Sequence, residues 1–138
     1  MNWKEKMREF GGGDLAFLSE DSEVINFVVV GDPVLLEGKY KGKPSEKIGC
    51  PVVTEDGYQL LVAGKRLARK ISKHEKDFNV HAFRAIRHGE QDDQSTTYAL
   101  QVIDDKEKTT QLFDLAKQKI TKELIAESVQ AALDVMKG

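Results

Sequence analysis

Residues 48–78, IGCPVVTEDGYQLLVAGKRLARKISKHEKDF, decide the fold. Two apolar runs, Ile48 to Thr54 and Tyr58 to Val62, flank Glu55-Asp56-Gly57. Asp-Gly between such runs is a strong short-range signal for a β-hairpin. At Gly64 the apolar period changes. Leu67, Ile71, His74 and Phe78 recur at the spacing of one helix face, and Lys65, Arg66, Arg69, Lys70, Lys73 and Lys76 occupy the others. A hairpin that runs directly into an amphipathic helix fixes the middle of the topology.

Upstream, Val24 to Val30 (VINFVVV) is rich in β-branched residues and too short for a free-standing helix. Gly31-Asp32-Pro33 interrupts it before Val34-Leu35-Leu36, which gives either one bent strand or two. Leu15 to Leu18 reads as a short strand ahead of the acidic turn Ser19 to Glu23. Gly38 to Lys47, GKYKGKPSEK, has the composition of a hairpin tip. Residues 1–13 form an N-terminal arm, with Trp3, Met7 and Phe10 at helical spacing before Gly11-Gly12-Gly13; a helical turn on the chain's own core is the alternative.

Downstream, Val80 to His88 and Thr96 to Ile103 read as strands around the acidic loop Gly89 to Ser95. Asp104-Asp105 can cap a following helix and suits its dipole. Leu112, Ala116, Ile120, Leu124, Val129, Leu133 and Met136 continue a helical pattern over 106–138, which Thr121 can divide in two as an N-cap. The order is three strands, a helix, two strands and a helical tail. That is the order of the OB-fold, a mainly β, five-stranded Greek-key barrel with its helix between strands 3 and 4. The domain spans 14–105, with a C-terminal extension. An unrelated α+β sheet has the same element order.

A chain of 138 residues is the size of one domain. No apolar run is long enough for a membrane span, and the charged start MNWKEKMREF is unlike a signal peptide. The lone Cys50 forms no internal disulfide and supplies no multi-thiolate zinc site. The expected setting is the cytoplasm. The net charge of -2 conceals an asymmetry: Lys39 to Arg87 carries twelve Lys or Arg against five Asp or Glu. Nucleic acid responds to such a local patch more than to the overall sum, although a solvated face has the same composition.

No catalytic constellation is legible, so neither an enzyme nor a cofactor is expected. His74, His81 and His88 lack metal-ligand spacing, Gly11-Gly12-Gly13 lacks the Gly-Lys-Ser/Thr of a phosphate loop, and Asp92-Asp93 and Asp104-Asp105 read as a solvated loop and a helix start. Cys50 has no positioned base and reads as a small buried residue. Binding fares better, because single strands are held by a positive groove and by rings on which bases stack. Lys39, Tyr40, Lys41, Lys43 and Lys47 place an aromatic in a basic hairpin, and Tyr58 faces the same region if the hairpin forms. Lys65 and Arg66 open the helix, and Arg84, Arg87 and Tyr98 lie on the last two strands. Phe27 and Phe83 are better read as barrel core.

Three stretches resemble the phage-type single-stranded DNA-binding, helix-destabilising proteins: FLSEDSEVINFVVVGDP from Phe17, VAGKRLARKI from Val62 and GEQDDQSTTYALQV from Gly89. Together they cover about residues 15–103. The resemblance implies sequence-tolerant binding of single-stranded DNA in an OB-fold groove, in replication or recombination. The residues themselves leave room for contacts to neighbours through the arm, or for a homodimer through the amphipathic C-terminal helix, although packing of that helix on its own barrel is the simpler account. Two departures stand out. Some members hold zinc, which one Cys and scattered His cannot do here. Many end in an acidic tail, whereas Gln101 to Gly138 carries six Lys against seven Asp or Glu. Either that tail lies beyond these residues or partners are recruited in another way. RNA binding and a protein-interaction module built on the C-terminal helix are the alternatives.

Overall fold

A computed structural model describes residues 15–40, 42–90, 95–117 and 120–136. The arm expected over 1–13, Lys41 and Asp92-Asp93 lie outside the described residues, as does the side chain of Tyr40. The chain is mainly β. Among the described residues, seven strands, β1 (Leu15–Phe17), β2 (Val24–Val29), β3 (Val34–Tyr40), β4 (Lys43–Thr54), β5 (Gly57–Ala63), β6 (Phe83–His88) and β7 (Thr97–Val102), are joined by three helices, α1 (Lys65–Ser72), α2 (Lys106–Ala116) and α3 (Lys122–Met136). No described helix is long and apolar enough to cross a membrane.

The strands follow the path β1-β5-β4-β2-β6-β7, with β3 paired to β4 beside that path. The expected five strands become seven for two local reasons. First, the segment 24–40 breaks at Gly31-Asp32-Pro33 into β2 and β3. A Cβ at Gly31 would lie 3.1 Å from the Pro51 ring, so glycine is what lets the kink approach β4. Pro51 itself stands where the neighbour of β4 changes from β3 (register Val34↔Gly49) to β2 (Val29↔Val52), a point where its missing N–H disturbs neither ladder. Second, Leu15–Phe17 adds a parallel strand to the outer edge of β5. That edge is where a fifth barrel strand would close the sheet. With β1 occupying it, β7 has β6 as its only partner among the described residues, and the sheet is open between β1 and β7.

The sheet curls around one core of Leu18, Phe27, Cys50, Val52, Leu61 and Phe83. Phe27 and Phe83 are fully buried with ring centroids 6.0 Å apart, and Phe78 and His74 pack on Phe83 at 6.1 and 5.2 Å. An eight-residue helix is not stable alone, so α1 holds its place through Leu67 and Ile71, each inserted in this core. The helix stops at Ser72, short of the expected run to Phe78, and a 3-10 turn at Glu75–Asp77 carries Phe78 inward instead. The basic hairpin is also tighter than its composition implies: strand pairing continues to Tyr40↔Lys43.

The two C-terminal helices cover the outer face of the sheet. Leu112 of α2 packs with Val28 and Val53, and Ala132 of α3 packs with Leu36, Leu60 and Val62. Both expected caps form. The Asp105 carboxylate accepts from the amides of Glu107 and Lys108 at 2.9 and 3.2 Å, and the Thr121 hydroxyl accepts from the Leu124 amide at 3.1 Å. The apolar stripe of the tail is therefore half-buried against its own sheet, with Leu112 and Ala132 fully buried.

Candidate nucleic-acid interface

The opening between β1 and β7 is a groove of about 770 Å³. One wall is Phe17, Leu18 and Ser19; the other is Thr96 and Tyr98 of the β6–β7 hairpin, with Arg87 between them. The floor is the end of β5 and the start of α1, from Val62 to Leu67. Lys39 and Lys47 reach it from the β3–β4 hairpin, and Val135 and Met136 reach it from the end of α3.

Six of the eleven residues expected to bind nucleic acid, Lys39, Lys47, Lys65, Arg66, Arg87 and Tyr98, therefore converge on one groove from β3, β4, α1, β6 and β7. Five carry positive charge, against one lining carboxylate among the described residues, Glu46. Glu46 stands directly opposite Glu37 in the β3–β4 ladder, a like-charge pairing that costs stability. Its carboxylate meets Lys65 Nζ at 3.1 Å. Both side chains are about half exposed, so the pair is weak and leaves Lys65 able to exchange partners. Lys39, Lys47 and Arg66 have no ion-pair or hydrogen-bond partner among the described residues.

The first turn of α1 strengthens this positive field. Its N-cap is Gly64, which offers no capping side chain, and no acidic residue occupies the turn, where Lys65 and Arg66 stand instead. Cations at a helix N-terminus oppose the helix dipole. The arrangement is unfavourable for the isolated helix and favourable for an anion that settles against its free amides. Gly64, Lys65 and Arg66 all line the groove.

Tyr98 is half-buried and held on three sides. Its hydroxyl accepts from Arg87 Nη1 at 3.2 Å, the Arg87 guanidinium lies 5.9 Å from the ring centroid, and its carbonyl accepts from Lys70 Nζ at 2.6 Å. The second ring in the groove, Phe17, is 42% exposed and was not among the expected residues. Its signal is the alternation of Leu15-Ala16-Phe17-Leu18: Ala16 and Leu18 are buried, so period two turns Phe17 outward.

The other expected residues lie elsewhere. Tyr58 pairs with Val53, ten residues along β4 from Lys43, or about 33 Å of strand at the usual rise. It is buried under α3, where its hydroxyl donates to Ser128 Oγ at 2.9 Å and Ser128 in turn donates to the Ile125 carbonyl at 2.7 Å. Burial holds the Tyr58 phenol above its ordinary pKa. Tyr58 therefore anchors a helix, and its ring is not offered to solvent. Arg84 points to the opposite face from Phe83, where its Nε donates to Asn26 Oδ1 at 2.8 Å. Asn26 Nδ2 then donates to Glu55 Oε1 at 3.4 Å, and Lys108 Nζ meets the same oxygen at 2.8 Å. Lys108 beside Glu55 holds that carboxyl below its usual value. Lys43 is exposed at the hairpin end, outside the groove lining, and Tyr40 is described only as the strand residue opposite it.

Cys50 is buried in the core, and burial pushes its thiol up to about 11, so it is an inert core residue. Compared with family models, curated proteins and solved structures, the chain gives no match, and its resemblance to single-stranded DNA-binding proteins rests on the three sequence stretches alone.

Proposed function

We propose that this chain binds single-stranded DNA, without marked sequence preference, in the groove between β1 and β7, and that its fold is an OB-like barrel left open along that line. The fold part of this reading is supported by connectivity. The segment 24–40 pairs with β4 on one side and β6 on the other, α1 follows β5, and β6 and β7 form the last hairpin. In an OB-fold, oligonucleotides lie over strands 2 and 3 between the first and last hairpin loops. The corresponding parts here are β4 and β5 with the β3–β4 and β6–β7 hairpins, which border the groove.

The observation that carries the function is the convergence of Lys39, Lys47, Lys65 and Arg66 with Phe17 and Tyr98 on one open groove. Cations track a phosphate backbone, and exposed rings stack bases of any identity, which together give affinity without a sequence code. By analogy with the resembled proteins, the expected role is protection of strands in replication or recombination.

The test is fluorescence anisotropy of labelled oligo-dT titrated with the protein at low and moderate salt. The expected result is binding that weakens steeply with salt and survives competition by duplex DNA. Phe17→Ala is expected to cost roughly 1–3 kcal/mol of binding, the usual worth of one stacked base. No binding at low salt, or equal affinity at both salt concentrations, would overturn the proposal. Tighter binding of oligo-rU than of oligo-dT would replace DNA by RNA as the ligand.

A further inference from the structure

Arg87 is the most heavily bonded side chain bordering the groove, and the charge count alone treats it as one more phosphate ligand. Its contacts say otherwise. Nε donates to the Gly89 carbonyl at 2.8 Å, Nη1 to the Leu18 carbonyl at 3.0 Å and to Tyr98 Oη at 3.2 Å, and Nη2 to the Glu90 carbonyl at 2.9 Å and to Thr96 Oγ1 at 3.4 Å. A guanidinium has five N–H donors, and here every one is engaged within the protein. A phosphate could reach this group only by displacing one of them.

The acceptors lie on both walls. Leu18 belongs to the β1 wall, whereas Thr96 and Tyr98 belong to the β7 wall. The backbone of Arg87 adds to the link: its amide donates to the Glu23 carbonyl at 3.0 Å, and its carbonyl accepts from Ser22 at 2.8 Å. Ser22 takes a φ of 66° to make that contact, a left-handed conformation that a serine adopts only at some cost. The Gly89 amide also donates to Asp21 Oδ1 at 2.9 Å. Thus the turn after β1 and the start of the β6–β7 loop are fastened together around one residue.

We infer that Arg87 is a positioning residue for the proposed binding: its guanidinium does in side-chain hydrogen bonds what backbone pairing would do in a closed barrel, and so sets the spacing between Phe17 and Tyr98 across the groove. This rests on the single-strand reading for its consequence but not for its structural content. Arg is suited to the task because a planar fork meets several fixed acceptors at once. Lysine has three donors on a flexible stem and cannot span them.

Two measurements on Arg87→Lys and Arg87→Gln test the inference, with urea unfolding used to choose conditions in which each variant is folded. In amide hydrogen exchange without DNA, both variants are expected to expose residues 17–19 and 96–98 at least about tenfold faster, as loss of charge-assisted bonds at the opening implies. In oligo-dT titrations both are expected to lose about tenfold or more in affinity, while the slope of log K against log salt stays at the wild-type value. If Arg87 instead contacts phosphate, Arg87→Lys retains most of the affinity and Arg87→Gln lowers the slope by about 0.7, which overturns the inference. Unchanged exchange in both variants overturns it as well. Should neither variant fold, Tyr98→Phe removes one acceptor and keeps the ring, and a smaller rise in exchange at 17–19 is expected; no rise there counts against the strap. If wild-type protein fails to bind oligo-dT, the functional reading falls, and the exchange measurement still decides whether Arg87 holds the walls.

Discussion

Tyr58 illustrates how one atom changes the job of a side chain. Its ring fills space between β5 and α3, and its hydroxyl bonds a serine that is itself fully buried. Tyr58→Phe keeps the packing and leaves Ser128 bonded to the Ile125 carbonyl, so the expected loss is about 1 kcal/mol in urea unfolding. A loss near zero would mean the hydroxyl contributes nothing to docking α3. Gly38 makes the same contact by absence: a Cβ there would lie 2.5 Å from Met136 Cβ. Gly38→Ala must push the end of α3 away, at an expected cost of about 1–3 kcal/mol. Cys50 supplies a pH signature. Its folded pKa is about 11 against an ordinary 9, so the protonated thiol stabilises the fold, fully below pH 9 and less as pH rises through 11. Tyr58 shifts in the same direction for the same reason, burial. Stability is therefore expected to fall between pH 9 and 11 by up to about 2–3 kcal/mol from Cys50 alone, and urea midpoints of Cys50→Ala compared with wild type across that range measure it. A difference between the two that does not vary with pH would exclude the linkage.

At the scale of elements, α2 depends on a cap and a clamp of unequal worth. Asp105 satisfies two N-terminal amides, and Asp105→Ala is expected to cost about 1 kcal/mol. The Glu55–Lys108 pair is exposed enough that Glu55→Gln should cost well under about 1 kcal/mol at neutral pH. Because Lys108 lowers the Glu55 pKa, that small contribution is present above the ordinary carboxylate value and lost as pH falls through the lowered one. Guanidinium unfolding of both variants at pH 7 ranks them, and a larger loss in Glu55→Gln would reverse the argument. These local devices were readable because capping and turn chemistry depend on neighbours in sequence. Asp-Gly at 56–57, Asp105 and Thr121 all act where their positions indicate. The end of α1 was not readable in the same way: Phe78 continues the helical period, yet it reaches the core from a 3-10 turn because Phe83 and Phe27 lie there to receive it. That is a tertiary preference overriding a local one.

At the scale of the whole molecule, the groove exists because β1 takes the edge of β5 and leaves β7 without a second neighbour. Charge clustering in sequence pointed to the right stretch of chain, 39–87, but could not say which cations share a face. Arg84 and Arg87 are three residues apart on one strand, which alternation sends to opposite faces. Arg84 ends in the Asn26–Glu55 network and Arg87 at the groove. Tyr58 was misplaced for a related reason: its distance from the basic tip is set by the length of β4, and β4 is twelve residues long where seven were expected. Phe17 was legible in the alternation of 15–18 and gained meaning only from the opening beside it. The charge that remains for a ligand is then Lys39, Lys47, Lys65 and Arg66, since Arg87 is committed within the protein. For single strands the salt slope falls by about 0.7 for each phosphate contact removed. The triple variant Lys39→Gln, Lys47→Gln, Arg66→Gln is therefore expected to lower the oligo-dT slope by about 2 relative to wild type, with stability changed little because none of the three has a partner to lose among the described residues. Lys43→Gln, which lies on the same hairpin outside the groove, is expected to leave the slope unchanged. Equal losses from Lys43 and from any one of the three would mean that the strand follows the hairpin surface and bypasses the opening between β1 and β7.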